Sequence, residues 1–425
     1  PEMSEVVVMV NVGVLGHGVV GSGVVEILRK NGVSIKNRAG DDIKVKWILD
    51  IRDFPECEYR ELFTKNADDV FNDDSVKIIV ETIGGTGVAY EFTKKALASG
   101  RHVVTSNKEL VAAHGPELLN IARENNVRYL FEASVGGGIP IIRPLRQCLA
   151  ANMITGITGI LNGTTNYILT RMRDNGMDFY EALKGAQKNG YAEADPTADI
   201  EGHDACRKIA ILSSIAYNEF INYKSIPTEG IRNISLIDMK YAEAMNSTIK
   251  LIGLSRKTKE GIYARVSPAI VSKEMPLAGV NDVFNAIVVY GDAIGEAMFY
   301  GPGAGKFPTA SAVVADIIDI VAHPDDGFRN TWQTGSGNVN KIDDPSVTAS
   351  RFFIRIRTGN QKEARKEVTA EFGENVRWLK LAEAEDELGF VTEKMTEEQL
   401  AVSVDRLKKS GMVDEVLNKI RLLDS

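Results

Sequence analysis

The chain has 425 residues, with 50 Lys and Arg against 58 Asp and Glu and a formal net charge of −8. Its 44% apolar and 25% charged residues fit a multi-domain globular protein and exclude collagen-like, low-complexity and wholly disordered chains. The acidic balance argues against a nucleic-acid partner. Three widely spaced cysteines, Cys57, Cys148 and Cys206, make neither a disulfide framework nor a zinc spacing, which points to a reducing, cytoplasmic location.

Residues 6–12 are mostly Val and predict a buried parallel strand. Glu2 and Glu5 precede this run where a signal peptide carries positive charge, and no stretch of about 18 apolar residues follows, so neither a targeting signal nor a membrane span is expected. The strand runs into Gly16-His17-Gly18-Val19-Val20-Gly21, a GxGxxG turn. Val24, Val25 and Leu28 then recur at helical spacing, and Asn31-Gly32 reads as a stop. In a dinucleotide-binding unit Gly16 permits the tight turn, Gly18 lets backbone N–H groups approach the pyrophosphate, and Gly21 allows close helix–strand packing.

A second strand at 45–49 ends in Asp50-Ile51-Arg52. An acid there suits the ribose 2′-hydroxyl of NAD, and an arginine suits the 2′-phosphate of NADP. Both are present; Arg52 tilts the reading toward NADP. Strands at 77–81, 102–105 and 128–132 then alternate with helices at 88–99 and 114–125, the pattern of a doubly wound parallel sheet. Residues 82–85, Lys108 and residues 132–138 follow strands and are placed on the ligand-binding edge.

Near residue 150 the pattern changes, and a region of longer helices and less regular strands is expected over 151–307, an α+β unit. Its densest polar run, Gly190 to Lys208, is kept out of regular helix by Pro196 and Gly202 until about His203. Asp204 and Lys208 are then four apart on one helix face. Beside an apolar stripe such a lysine is desolvated and useful for proton transfer; the same spacing also describes an ordinary surface ion pair. Glu193, Asp195, Asp199 and Glu201 also read as a carboxylate metal site, without the regular EF-hand spacing. The histidines His17, His203 and His323 read as positional.

Residues 308–322 predict a helix that returns to the nucleotide-binding unit, and residues 323–347 a linker rich in Gly, Asp and Pro. From 348 the order is strand 351–357, helix 361–372, strands 376–382 and 389–393, helix 396–410 and strand 417–422, a ferredoxin-like βαββαβ unit.

The run Ala186-x3-Gly190-Tyr191-Ala192-x2-Asp195-Pro196-x2-Asp199-Ile200-x-Gly202-x-Asp204-x3-Lys208 resembles the homoserine dehydrogenase signature. The N-terminal GxGxxG agrees with it, as do Glu81 to Gly85, Thr105-x-Asn107-Lys108, Glu132 to Pro140, Gly159 to Thr164 and Gly301 to Gly305. The resemblance covers residues 6 to 323 and, more loosely, the C-terminal region.

It implies reversible reduction of L-aspartate 4-semialdehyde to L-homoserine by NADPH or NADH, in threonine and methionine biosynthesis, by a cytoplasmic homodimer or homotetramer. By motif position it implies Lys208 as proton donor and Lys108 as its partner at the substrate oxygen and nicotinamide. It implies Glu193 and Asp204 on the substrate amino group, Asp199 as organiser, and Ile83, Gly190 and Gly305 beside the cofactor with the glycine turn. Glu132, Val135, Gly137 and Ile139 match a structural monovalent-cation site; oxygen donors suit a sodium-like ion. The C-terminal unit resembles an amino-acid-sensing ACT domain, but Arg357-Thr358-Gly359-Asn360-Gln361 stands where that family has Asp-x-Pro-Gly.

Two alternatives stand beside this reading: another NAD(P)-dependent reductase of an amino-acid aldehyde, and a catalytically silent nucleotide-binding regulator. The joint presence of Lys108, Glu193, Asp204 and Lys208 argues against the regulator. Cys148 and Cys206 lie in predicted helices and read as packing residues, unlike the nucleophile of a thiol-dependent aldehyde enzyme.

Overall fold

The computed structural model describes residues 9–259, 261–324, 332, 342–343 and 348–424. Most of residues 323–347, expected as a linker, lies outside them, as do residues 6–8 of the first strand. Two compact units emerge, one of residues 1–153, 210–223 and 299–339, the other of 154–209, 224–298 and 340–425.

The first unit opens with β1 (Met9–Leu15), α1 (Val19–Lys30), α2 (Gly32–Ala39), β2 (Asp42–Leu49), β3 (Phe63–Thr64) and α3 (Ala67–Phe71). It continues through β4 (Val76–Glu81), α4 (Val88–Ala98), β5 (His102–Thr105), α5 (Lys108–Glu124), β6 (Tyr129–Leu130) and a single turn, α6 (Ala133–Gly136). The strands pair in parallel in the order β3-β2-β1-β4-β5-β6. This is the doubly wound Rossmann order, with chain reversal between β1 and β4 opening a crevice at their carboxyl ends. Strand runs such as Val12, Val14, Ile78 and Val80 are fully buried, as a sheet covered on both faces requires.

Three details depart from the sequence reading. Asn31-Gly32 is a break rather than a stop, since α2 restarts at Gly32. The helix expected from 114 begins at Lys108, because the Asn107 side chain accepts the Leu110 N–H as an N-cap, and it continues through Pro116. The strand expected over 128–132 keeps only two residues.

In the second unit lie β7 (Ile154–Ile160), α7 (Gly163–Asn175), α8 (Phe179–Lys188), α9 (Thr197–Ile200), α10 (His203–Tyr217, its first half) and α11 (Leu236–Ala244). Then follow β8 (Ser247–Lys257), β9 (Ile262–Ser272), β10 (Phe284–Gly291) and β11 (Gly295–Pro302, its first half). The expected irregular strands are in fact two of eleven residues, β8 and β9, paired antiparallel along their whole length. Next in the chain is α12 (Lys306–Ala322), which packs in the first unit against α1. Gly23 makes that approach close, since a Cβ there would lie 2.9 Å from the Lys306 carbonyl oxygen.

The C-terminal segment forms β12 (Phe352–Arg357), α13 (Gln361–Phe372), β13 (Arg377–Leu379), β14 (Glu387–Val391), α14 (Glu397–Lys409) and β15 (Glu415–Leu422). Its order β15-β12-β14-β13, antiparallel throughout, is the ferredoxin-like βαββαβ arrangement over its own core of Phe352, Ile354, Val368, Phe390 and Leu407. β15 joins β9 in parallel through two residues, so one sheet runs β11-β10-β7-β8-β9-β15-β12-β14-β13. Among the described residues no helix is long and apolar enough to cross a membrane.

Candidate active site

In the first unit, the glycine turn leaves β1 at the sheet's carboxyl edge. Gly16 has φ +92°, and a Cβ there would meet the Thr82 carbonyl oxygen at 2.9 Å. Gly18 precedes α1 with open space around it, and a Cβ on Gly21 would stand 2.0 Å from the Gly16 carbonyl oxygen. Val19 and Val20 form the first turn of α1, whose N-terminus is thus bare of side-chain caps.

Asp50 is buried at the end of β2 and organises this corner. One oxygen accepts the His17 backbone N–H at 2.7 Å. The carboxylate also grips the Arg52 guanidinium in a two-pronged pair at 3.0 and 2.8 Å. That pairing holds the Asp50 carboxyl well below the usual carboxylate range. Asp50 and Arg52, separate candidates in the sequence, are therefore one unit. The His17 ring stands edge-on to Phe54, Tyr59 and Phe63, and burial lowers its pKa. Arg52, Arg60 and Lys65 rim a hollow of about 440 Å³ beside it.

A buried carboxylate that sequence reasoning passed over shapes the next loop. Glu81 accepts the N–H groups of Ile83 and Gly84 with one oxygen and the Thr105 hydroxyl with the other. Asn107 donates to the Gly85 carbonyl while capping α5, so the loop carrying Ile83 and the helix start carrying Lys108 are tied together. Gly305, with φ +124°, caps α12.

Glu132 lies 3% exposed after β6 and accepts the backbone N–H groups of Ile141, Ile142 and Arg143. Between them the chain turns tightly through Val135, Gly137 and Ile139, and a Cβ on Gly137 (φ +58°) would lie 2.2 Å from the Gly303 carbonyl oxygen. One carboxylate with about four lone-pair sites and three N–H partners keeps an acceptor site, and the backbone crowding at Gly137 leaves no room for a side chain there. A buried carboxylate with a spare acceptor site is an oxygen donor of the kind a hard monovalent cation takes.

In the second unit, α7 and α10 build a compact polar cluster. Lys208, 7% exposed, donates to the Leu161 carbonyl at 2.8 Å and pairs with Asp204 at 2.9 Å. Asn162, the N-cap of α7, donates through Nδ2 to both Asp199 (2.7 Å) and Asp204 (2.9 Å). Burial first, then the Asp204 charge, raises the Asp199 pKa, and the Asn162 hydrogen bond opposes them. The Asp204–Lys208 spacing is therefore a buried pair, not a surface one. Asn162 escaped sequence reasoning because nothing at its position signals two carboxylates some forty residues onward.

Glu193 does not join this cluster. It is exposed, and its backbone carbonyl accepts Gln187 Nε2. Gly190 (φ +74°) is exposed on the same loop. Asp195 is spent on the Thr197 turn and Glu201 on Arg232. Cys206 is buried, but Cys148 is exposed and so is not the packing residue expected.

A Rossmann-ordered sheet, a bare glycine turn at its carboxyl edge, and a buried lysine with paired carboxylates define a nicotinamide-dinucleotide-dependent oxidoreductase. The models for homoserine dehydrogenase and its NAD-binding domain match residues 140–318 and 16–132. The chain is 38% identical over 427 residues to a homoserine dehydrogenase of Pseudomonas aeruginosa, covering 97% of this chain and 98% of that one. It is 46% identical over 316 residues to that of Neisseria gonorrhoeae, covering 73% and 72%. A crystal structure of a homoserine dehydrogenase from Thiobacillus denitrificans superposes with a TM-score of 0.90 at 36% identity, over 98% and 99% of the two chains. A hyperthermophilic archaeal homoserine dehydrogenase solved in complex with NADPH gives 0.62 at 31%, over 73% and 97%. The chain belongs to the homoserine dehydrogenase family. These matches do not favour the silent regulator or a different aldehyde reductase.

Proposed function

We propose that the protein reduces L-aspartate 4-semialdehyde to L-homoserine, reversibly, with NADPH as the preferred cofactor, in the cytoplasm and as a homo-oligomer. The observation that carries the chemistry is the buried Lys208 ammonium held by Asp204 and the Leu161 carbonyl. Two of its three N–H donors are engaged, which leaves the third to give a proton to the substrate oxygen. The bound nicotinamide supplies or accepts the hydride.

Lys108 is assigned to the same oxygen and to the nicotinamide. Asp204 and Glu193 take the substrate ammonium, and Asp199 orders the cluster through Asn162. Gly16 to Gly21, Ile83, Gly190 and Gly305 flank the dinucleotide. The guanidinium of Arg52, fixed by Asp50, supports the NADP preference, since a 2′-phosphate finds an oriented cation there. Glu132, Val135, Gly137 and Ile139 would hold a sodium-like ion that stabilises the turn. The C-terminal βαββαβ module is read as ACT-like, after a nucleotide-binding domain over 1–150 with helix 308–322 and a catalytic and dimerisation domain over 151–307.

Initial rates with NADPH and with NADH test the cofactor assignment. A higher kcat/KM with NADPH that Arg52→Gln brings level supports it; equal values in the unmodified enzyme would remove Arg52 as selector.

A further inference from the structure

β15 and β9 pair only at Arg421↔Ala269 and Leu422↔Ile270. Toward the start of β9 the strands part, and a cavity of about 50 Å³ opens between the sheet and the C-terminal module. That is several times what one buried water needs, about 10–15 Å³ on this measure. Alternate residues of β8 and β9 face it, among them Ile252, Leu254, Arg265 and Ala269, with Arg421 opposite.

The charges here do not balance. Arg265, 9% exposed, and Arg421 both pair with a single oxygen of Glu397 at the start of α14. The other nearby carboxyl, Glu229, is pushed by burial toward its neutral form. Arg265 Nε, and Nε and Nη1 of Arg421, are buried without a hydrogen-bond acceptor among the described residues. Asp424, at the rim, is occupied by Arg351 and Lys394. Two guanidiniums sharing one carboxylate leave a buried positive charge and idle donors, a costly arrangement without an anion.

We propose that this cavity is a binding site for a small organic carboxylate, clamped between Arg265 and Arg421. The planar Nε/Nη edge of a guanidinium matches the two oxygens of a carboxylate. The walls of Ile252, Leu254 and Ala269 accept a short aliphatic body. Because the cavity lies where the C-terminal module joins the sheet, its occupant ties the module to the rest of the unit. The site contains none of the residues assigned to the reduction, so it stands or falls apart from that assignment.

The test is isothermal titration calorimetry of the full chain at fixed ionic strength with propionate, L-2-aminobutyrate and inorganic phosphate. Propionate binds the unmodified protein, and Arg265→Gln and Arg421→Gln each weaken it by about tenfold or more, the equivalent of one lost charge-assisted contact. Tighter binding of aminobutyrate than of propionate identifies an amino acid as the source; equal binding identifies the carboxylate alone. Ser267→Leu fills the cavity with both arginines kept, and abolishes binding. It decides the matter if the arginine variants fail to fold by circular dichroism. Absence of propionate and aminobutyrate binding, phosphate binding as tight as propionate, or unchanged affinity in Ser267→Leu overturns the site.

Discussion

In the proposed mechanism Lys208 and Asn162 divide the work of the polar cluster: Lys208 would present the proton, and Asn162 holds Asp199 and Asp204 beside it. Lys208→Ala is expected to lower kcat by about a hundredfold to ten-thousandfold, the usual worth of a positioned general acid, with NADPH affinity kept. Near-normal turnover would take Lys208 out of the mechanism. Asn162→Ser separates two roles of one residue, because serine also caps a helix but cannot bridge Asp199 and Asp204. The melting temperature should stay nearly unchanged while kcat/KM falls about tenfold to a hundredfold from misplaced groups. A loss of stability with unchanged kcat/KM would reduce Asn162 to a cap. The Asp204–Lys208 pair was legible from its i, i+4 spacing alone. Which of its two readings holds, buried or surface, and the Asn162 bridge were not, because both depend on α7 and α10 meeting in space.

At the scale of elements, the parallel sheet was readable because its strands are short β-branched runs between glycine turns. β8 and β9 were not: β9 is buried on both faces and holds Pro268, so it shows no alternation. The early start of α5 was hidden because the Asn107 cap lies seven residues before the first position that reads as helix. β8 is also fastened to α7 by Lys250, which lies 1% exposed and donates to Asn166, Val280 and Asn281. Burial, helped by Arg173, lowers its pKa to about 7 from 10.5. A lysine whose folded pKa lies below its unfolded one costs stability while charged. That cost is full below about pH 7 and is relieved as pH rises toward 10.5. Urea unfolding should therefore show this contribution rising with pH across that window, and Lys250→Met should remove it. The same slope in Lys250→Met would assign the effect to another group.

Across the whole chain, the ferredoxin-like order of the C-terminal module followed directly from its strand and helix pattern. Its attachment did not, because β15 reaches β9 across some 150 residues of sequence. Besides that strand pairing, a buried ion pair anchors the module. Arg355 on β12 meets the fully buried Asp238 of α11 at 3.0 Å and Glu387 at 3.1 Å. Arg355→Met should destabilise the second unit by about 3 kcal/mol, because Asp238 is left as a buried charge without its cation. Adding Asp238→Asn should recover most of that loss. A double variant as unstable as the single one would place the cost in packing instead.

The reduction itself is tested most directly with NADPH carrying deuterium at its transferable position. The purified protein is mixed with this cofactor and L-aspartate 4-semialdehyde, and the products are followed by absorbance and mass spectrometry. The proposed reduction requires cofactor oxidation matched mole for mole by L-homoserine with deuterium on the carbinol carbon. Oxidation without labelled homoserine, or no oxidation with either NADPH or NADH, would contradict it.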